Sequence, residues 1–208
     1  MAAKLLIATK NQAKFKNFAR LLAGYKLEVV SLSDLGLVSD VAETGTTFEE
    51  NAKLKVMSYF ALSKLPTLVD DSGLEIDALG GWPGLYSRRV WGAGEREATD
   101  EEALAEVLQR MEGVPDGNRS AHFTAVVALA LPTGEVQTVR ESAAGIITHE
   151  PHGPISPGFP YRTIFYLPEV GKTAAQLEAE GKYDDYLSHR KKAILKLEPY
   201  LRQLENYA

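Results

Sequence analysis

The sequence predicts an α/β fold with a mixed, twisted sheet flanked by helices, and two patterns carry that prediction. Short apolar runs alternate with segments of helical spacing through the first half of the chain. A long pair of strand-like segments then follows around Pro132-Thr133-Gly134, read as an antiparallel hairpin. The hairpin strands are long enough to form a second lobe, with a cleft between the lobes. No repeat, low-complexity segment or long linker interrupts the 208 residues, so residues 1–208 read as a single domain of two lobes.

Each element has its own local signal. Residues 4–9 (KLLIAT) form a short apolar run of strand type. Residues 11–23 place Phe15, Phe18, Leu21 and Leu22 at helical spacing, and Gly24 stops them. Residues 27–32 predict a second strand. Residues 47–65 predict a long helix, opened by a capping box of Thr47 and Glu50. The run TLVDD at 67–71 predicts a strand ending abruptly in two acids, with a sharp turn at Gly73 and a further strand over 74–79. A second capping box, Thr99 with Glu102, opens a helix to about Met111. Residues 121–131 and 135–148 are the hairpin strands, and the last helix starts at Ser188 with Ile194, Leu197 and Leu201 on its apolar face.

Composition limits the chemistry. Hydrophobic residues make up 45% and charged residues 25%, an ordinary globular balance. The N-terminal run is too short and too quickly followed by lysine for a signal peptide. No apolar stretch reaches membrane-span length, so a cytoplasmic location is expected, with no membrane partner. Cysteine is absent, which excludes disulfides, thiol nucleophiles and thiolate metal sites. Any metal must use harder donors, favouring magnesium, manganese or calcium. A formal net charge of −5 argues against a nucleic-acid partner but leaves room for a small anion held by local lysines.

Four segments can carry chemistry. At Thr9-Lys10-Asn11-Gln12-Ala13-Lys14 a strand runs into a helix, whose first N–H groups and dipole suit an anion. A capped helix with solvated lysines explains the same residues, and Walker-type glycines are lacking. In Asp70-Asp71-Ser72-Gly73, adjacent carboxylates at a strand end resist burial unless a cation or donors compensate them; an ordinary acidic turn is the alternative. Glu49 and Glu50 suit a helix dipole, whereas Glu43, ahead of the helix, is available to share a cation with Asp71. Lys55 can face a phosphate or simply be solvated. Ser188-His189-Arg190 offers a helix cap, a flat ring and a planar donor fork, the last two suited to a nucleobase.

Taken in order, these segments resemble the inosine and xanthosine triphosphate pyrophosphatases. The resemblance comprises Thr9-x-Asn11-x-x-Lys14, then Glu43-Thr44-Gly45-x-Thr47-Phe48-x-Glu50-Asn51-Ala52-x-x-Lys55, then Asp70-Asp71-Ser72-Gly73-Leu74. Gly80-Gly81-x-Pro83-Gly84-x-Tyr86-Ser87, Gly171-Lys172-Thr173 and Ser188-His189-Arg190 complete it. It implies a two-lobed α/β homodimer with the active site in the cleft between lobes. The implied activity is hydrolysis of non-standard purine nucleoside triphosphates (ITP, dITP, XTP) to monophosphate and pyrophosphate. Residues Thr9 to Lys14 would hold the triphosphate with help from Lys55. Glu43 and Asp71 would bind Mg2+ (or Mn2+), Asp71 would be the general base, and Ser72 would touch the substrate. Lys182, Ser188, His189 and Arg190, with Phe159, Pro160, Tyr161 and Arg162, would surround the base.

The family pattern Gly-Phe-Gly-Tyr-Asp-Pro stands here as Gly158-Phe159-Pro160-Tyr161-Arg162-Thr163. Arginine can only donate where aspartate accepts, so Arg162 is expected to alter base selectivity. The alternative has Arg162 in solvent or paired with Asp184 or Asp185, leaving Arg190 to read the base. The loops at 151–157 and 183–187 are longer than the family pattern. A nucleotide-binding protein without turnover and a serine hydrolase using Ser72 or Ser188 are the rival functions; the latter lacks a Gly-x-Ser-x-Gly elbow.

Overall fold

A computed structural model describes residues 2–38, 40–87, 98–186 and 189–207. Strand β1 (Ala3–Ile7) runs into helix α1 (Gln12–Leu21), and β2 (Leu27–Ser31) precedes helix α2 (Phe48–Ser63). Strand β3 (Thr67–Ile76), helix α3 (Asp100–Arg110) and the long strands β4 (Ser120–Ala130) and β5 (Val136–Ile147) follow. The chain ends through β6 (Phe165–Leu167), β7 (Lys172–Thr173), α4 (Ala174–Ala179), α5 (Tyr183–Tyr186) and α6 (His189–Glu205). The seven strands hydrogen-bond in the order β2-β1-β3-β4-β5-β6-β7. β1 is parallel to β2 and β3, while β6 is antiparallel to β5 and β7. The expected mixed sheet is therefore present. None of the described helices is long and apolar enough to cross a membrane.

Two compact units divide the chain. The first comprises Met1–Asp71, Ala125–Glu141 and Arg190–Ala208. Its core packs Phe18 and Leu22, from α1 and its C-cap, and Ile194, Leu197 and Leu201 of α6 on Leu5, Ile7, Leu68, Val127 and Leu129 of the strands. The second comprises Ser72–Thr124 and Ser142–His189. There Leu104, Val107 and Met111, from α3 and its C-cap, share a core with Leu74, Ile76, Phe165 and Leu177. Full burial of each such side chain contributes roughly 1.5–3 kcal/mol.

Local signals mostly predict the observed caps. Thr99 and Glu102 form a complete capping box on α3. Thr47 caps α2 by accepting from Glu50 N, but the Glu50 carboxylate reaches past Thr47 to accept from Thr46 N and Thr46 Oγ1. The expected box at Thr47 is thus a half box.

The larger correction concerns β3. The sequence suggests a break with a turn at Gly73, whereas a single strand runs unbroken through Asp70-Asp71-Ser72-Gly73, and residues 77–79 form a 3-10 turn instead of strand. Gly73 is required by space and not by a turn. A Cβ there would overlap the Gly84 carbonyl oxygen and stand 2.6 Å from Ser87 Oγ, which also accepts from Leu74 N at 3.1 Å. Gly73→Ala is therefore expected to lower stability by about 1–3 kcal/mol, the usual cost of overpacking. Urea denaturation would measure it, and an unchanged midpoint would show that the Gly84 loop yields freely.

Candidate active site

Successive side chains on a strand point to opposite faces, so the neighbours Asp70 and Asp71 serve different partners. Asp70 shares its face with Leu68, which packs with α1 and α6. Lys14 of α1 places Nζ 2.8 Å from Asp70 Oδ2. Arg190 of α6 faces the same carboxylate, with Nε 3.5 Å from Oδ1 and Nη2 3.5 Å from Oδ2. Asp71 turns the other way, towards α2, where Lys55 Nζ stands 2.6 Å from Asp71 Oδ1. The same ammonium lies 2.6 Å from Glu43 Oε1. Glu43 and Asp71 thus both pair with the Lys55 ammonium.

These six charges are largely removed from water. Side-chain exposure is 1% for Asp70, 9% for Asp71, 8% for Arg190, 16% for Lys55, 18% for Lys14 and 31% for Glu43. Burying ions is costly and only partly repaid by pairing, so such an array is weak as a fold stabiliser and strong as a mark of function. Burial pushes the Asp71 carboxyl above its ordinary value of 3.8, although Lys55 and Lys14 pull it down. Burial by itself would lower the Lys55 amine, but Asp71 and Glu43 hold it above its ordinary 10.5, so it remains an ammonium.

The Thr9–Lys14 segment is organised as a cap. Asn11 Oδ1 accepts from Ala13 N at 2.9 Å and Lys14 N at 3.1 Å, and Thr9 Oγ1 accepts from Asn11 N at 3.2 Å. The side-chain oxygens of Thr9 and Asn11 are thus engaged within the loop. Gln12 and Ala13 form the first turn of α1. The lysines differ: Lys10 is half-exposed and pairs with Asp40 at 3.0 Å, whereas Lys14 is drawn in to Asp70.

Ahead of α2, Gly45 lies hard against the helix. Its N–H donates to Asn51 Oδ1 at 2.8 Å. A Cβ on Gly45 would meet Glu50 Cβ at 2.6 Å and Asn51 Oδ1 at 2.8 Å. Asn51 is only 1% exposed, and its Nδ2 has no hydrogen-bond partner among the described residues. A buried unsatisfied donor costs about 1–3 kcal/mol.

The remaining candidates lie in the second unit. Ser72 is half-buried in β3. His189 is 2% exposed, with its ring 6.1 Å from that of Phe123. Pro160–Thr163 forms a 3-10 turn in which Tyr161 Oη donates to Ser87 O at 3.0 Å. Arg162 is neither solvated nor paired with Asp184 or Asp185. Its guanidinium is sandwiched between Phe159, 3.7 Å away, and Tyr183, 4.0 Å away, and pairs with Glu178. Three long partners converge on it because a planar cation stacks as well as it donates. Lys182 is exposed and pairs with Glu180 at 3.4 Å. Ser188 lies outside the described residues. Among the described residues no three His, Cys, Asp or Glu side chains are grouped to hold a metal ion.

The Ham1 family model matches residues 5–200. The chain belongs to the Ham1 family. It is 43% identical over 195 residues to a dITP/XTP pyrophosphatase of Geobacillus kaustophilus, covering 94% of this chain and 92% of that one. A dITP/XTP pyrophosphatase of an Exiguobacterium species is 44% identical over 195 residues, covering 94% and 95%. Among solved structures, a HAM1 protein from Coxiella burnetii superposes with a TM-score of 0.81 at 34% identity, covering 97% of this chain and 99% of that one.

In this Ham1-family chain the sequence reading passed over the role of Asn51, which stands in the matched motif but looks like any helix asparagine until Gly45 is seen against it. Glu178 was also missed, since nothing local ties it to Arg162. The roles of Asp70 and Asp71 separate only through strand alternation, which the expected turn had obscured.

Asp70 pairs with two largely buried cations, so removing its charge takes a counter-ion from both. Asp70→Asn is expected to destabilise the protein by on the order of 3 kcal/mol. Inorganic pyrophosphate should raise the melting temperature of this variant more than that of the wild type, by restoring negative charge beside Lys14. Equal shifts in the two proteins would show that Lys14 and Arg190 do not face an anion.

Proposed function

We propose that this Ham1-family protein hydrolyses non-standard purine nucleoside triphosphates (ITP, dITP, XTP) to nucleoside monophosphate and pyrophosphate. The observation that carries the proposal is the convergence of Glu43 and Asp71 on one cationic position, now held by Lys55, with the charge of Lys14 also acting on Asp71. The names of the similar dITP/XTP pyrophosphatases support the substrate class.

The two carboxylates fit a divalent cation. Their oxygens already aim at a single point, now taken by the Lys55 ammonium. Magnesium commonly takes one or two protein carboxylates and completes its shell with substrate phosphates and water. Bound there, a magnesium or manganese ion would neutralise phosphate charge as the reaction proceeds. Lys55, released from the carboxylates, supplies a further positive charge to the triphosphate, as does Lys14.

Asp71 accepts a proton from the attacking water. The water oxygen forms its bond to the α-phosphorus, and the bond from that phosphorus to the bridging oxygen breaks, so pyrophosphate leaves. In this reading Ser72 contacts the substrate, and His189 with Arg190 meets the base. Phe159 offers a ring with one face stacked by the Arg162 guanidinium.

The decisive assay scores pyrophosphate from inosine triphosphate. EDTA should abolish release, and Asp71→Asn should lower turnover by about a hundred- to ten-thousand-fold while retaining substrate binding. Orthophosphate as the first product, or near wild-type turnover in the variant, would overturn the proposal.

Arg162 is occupied by Glu178 and two rings, which argues against the altered selectivity expected from its sequence position. Arg162→Met should cost about 1–3 kcal/mol of stability, a figure reduced because Glu178 keeps access to water. The ranking of inosine, xanthosine, adenosine, guanosine and uridine triphosphates by kcat/KM should be unchanged. A reordered ranking would return Arg162 to base recognition.

A further inference from the structure

We propose that Asn51 is the positioning residue that sets Glu43 opposite Asp71, acting through Gly45. The inference rests on the reading of Glu43 and Asp71 as cation ligands and goes beyond it to the device that holds Glu43 in place. Glu43 belongs to no helix or strand, and its carboxylate must nevertheless meet a fixed point on β3. Two residues later, Gly45 is fastened to α2 by its hydrogen bond to Asn51 Oδ1. Thr46 is fastened beside it by Glu50, which accepts from both Thr46 N and Thr46 Oγ1. Lys55 follows Asn51 by one helical turn, so the helix that grips the strap also presents the cation to which Glu43 turns. The strap sits too close for any residue but glycine at 45, as the contacts of a Cβ there with Glu50 and Asn51 require.

The chemistry of Asn51 points the same way. Its oxygen is used, while its buried Nδ2 has no hydrogen-bond partner among the described residues. An apolar side chain would leave no such donor, so stability alone does not account for an amide at this position. Gly45 is only partly buried, and water can reach its N–H if Asn51 is lost. Loss of Asn51 should therefore release the strap without unfolding α2. Residues that orient metal ligands typically change metal affinity by tenfold to a hundredfold when replaced.

The test uses the full-length protein and Mn2+ alone, with binding read from the electron paramagnetic resonance of the free ion. Asn51→Ala should weaken Mn2+ binding by about ten- to a hundredfold, with the melting temperature nearly unchanged. Asn51→Asp keeps an oxygen acceptor for Gly45 N–H and should restore most of the affinity. Gly45→Ala keeps Asn51 in the sequence but drives the strap off Glu50 and Asn51, and it should reproduce the Asn51→Ala defect, carrying the test if Asn51→Ala fails to fold. The concentration of Mg2+ giving half-maximal turnover should rise in parallel in both variants. Unchanged Mn2+ affinity in folded Asn51→Ala or Gly45→Ala, or no rescue by Asn51→Asp, would overturn the inference. Wild-type protein that neither binds Mn2+ nor needs a divalent ion would instead overturn the metal reading on which it stands.

Discussion

The buried ammonium of Lys55 between Glu43 and Asp71 is the contact on which the rest of the candidate site depends. Two carboxylates brought so close repel each other and resist burial, and a single cation between them relieves both effects. The arrangement therefore defines a position that is always cationic. Lysine occupies it through a long, flexible stem, a ligand that can withdraw without disturbing the backbone. The carboxylates are more constrained: Asp71 by its strand and Glu43 by the strap on α2.

Strand β3 divides the charges into two sets. Its two-residue period sends Asp70 towards α1 and α6 and Asp71 towards α2. Asp70 is spent on Lys14 and Arg190, and it pre-positions two cations from helices distant in sequence. Asp71 pairs with Lys55 instead. Adjacent residues of one type thus face different cations on different helices. An anion arriving beside Lys14 would meet a cation whose place is already determined, which saves the entropy of ordering a long side chain on binding.

The second unit shows a different use of charge. Arg162 lies where the related pattern has aspartate, and it has been absorbed into packing between Phe159 and Tyr183 with Glu178 as counter-ion. A ring pair and a carboxylate hold the guanidinium inward and paired. The turn that carries it is also tied by Tyr161 to Ser87.

The sequence by itself determined the local pieces of this protein. Apolar runs specify β1 and the first half of β3, helical spacing specifies α1, and side-chain caps specify the starts of α2 and α3, because each signal acts over a few residues. Even Gly73 was legible as a special position, though for the wrong reason: the constraint is the Gly84 carbonyl packed against it, and not a turn. Tertiary structure alone decided which charges meet. Lysine, arginine and glutamate stems can reach in many directions, so Lys14 with Asp70, Lys55 with Glu43 and Asp71, and Arg162 with Glu178 become fixed only when helices pack on strands. Asn51 is the sharpest case, an ordinary helix residue in the sequence that gains its partner only where Gly45, with no Cβ to hold it away, folds back onto α2.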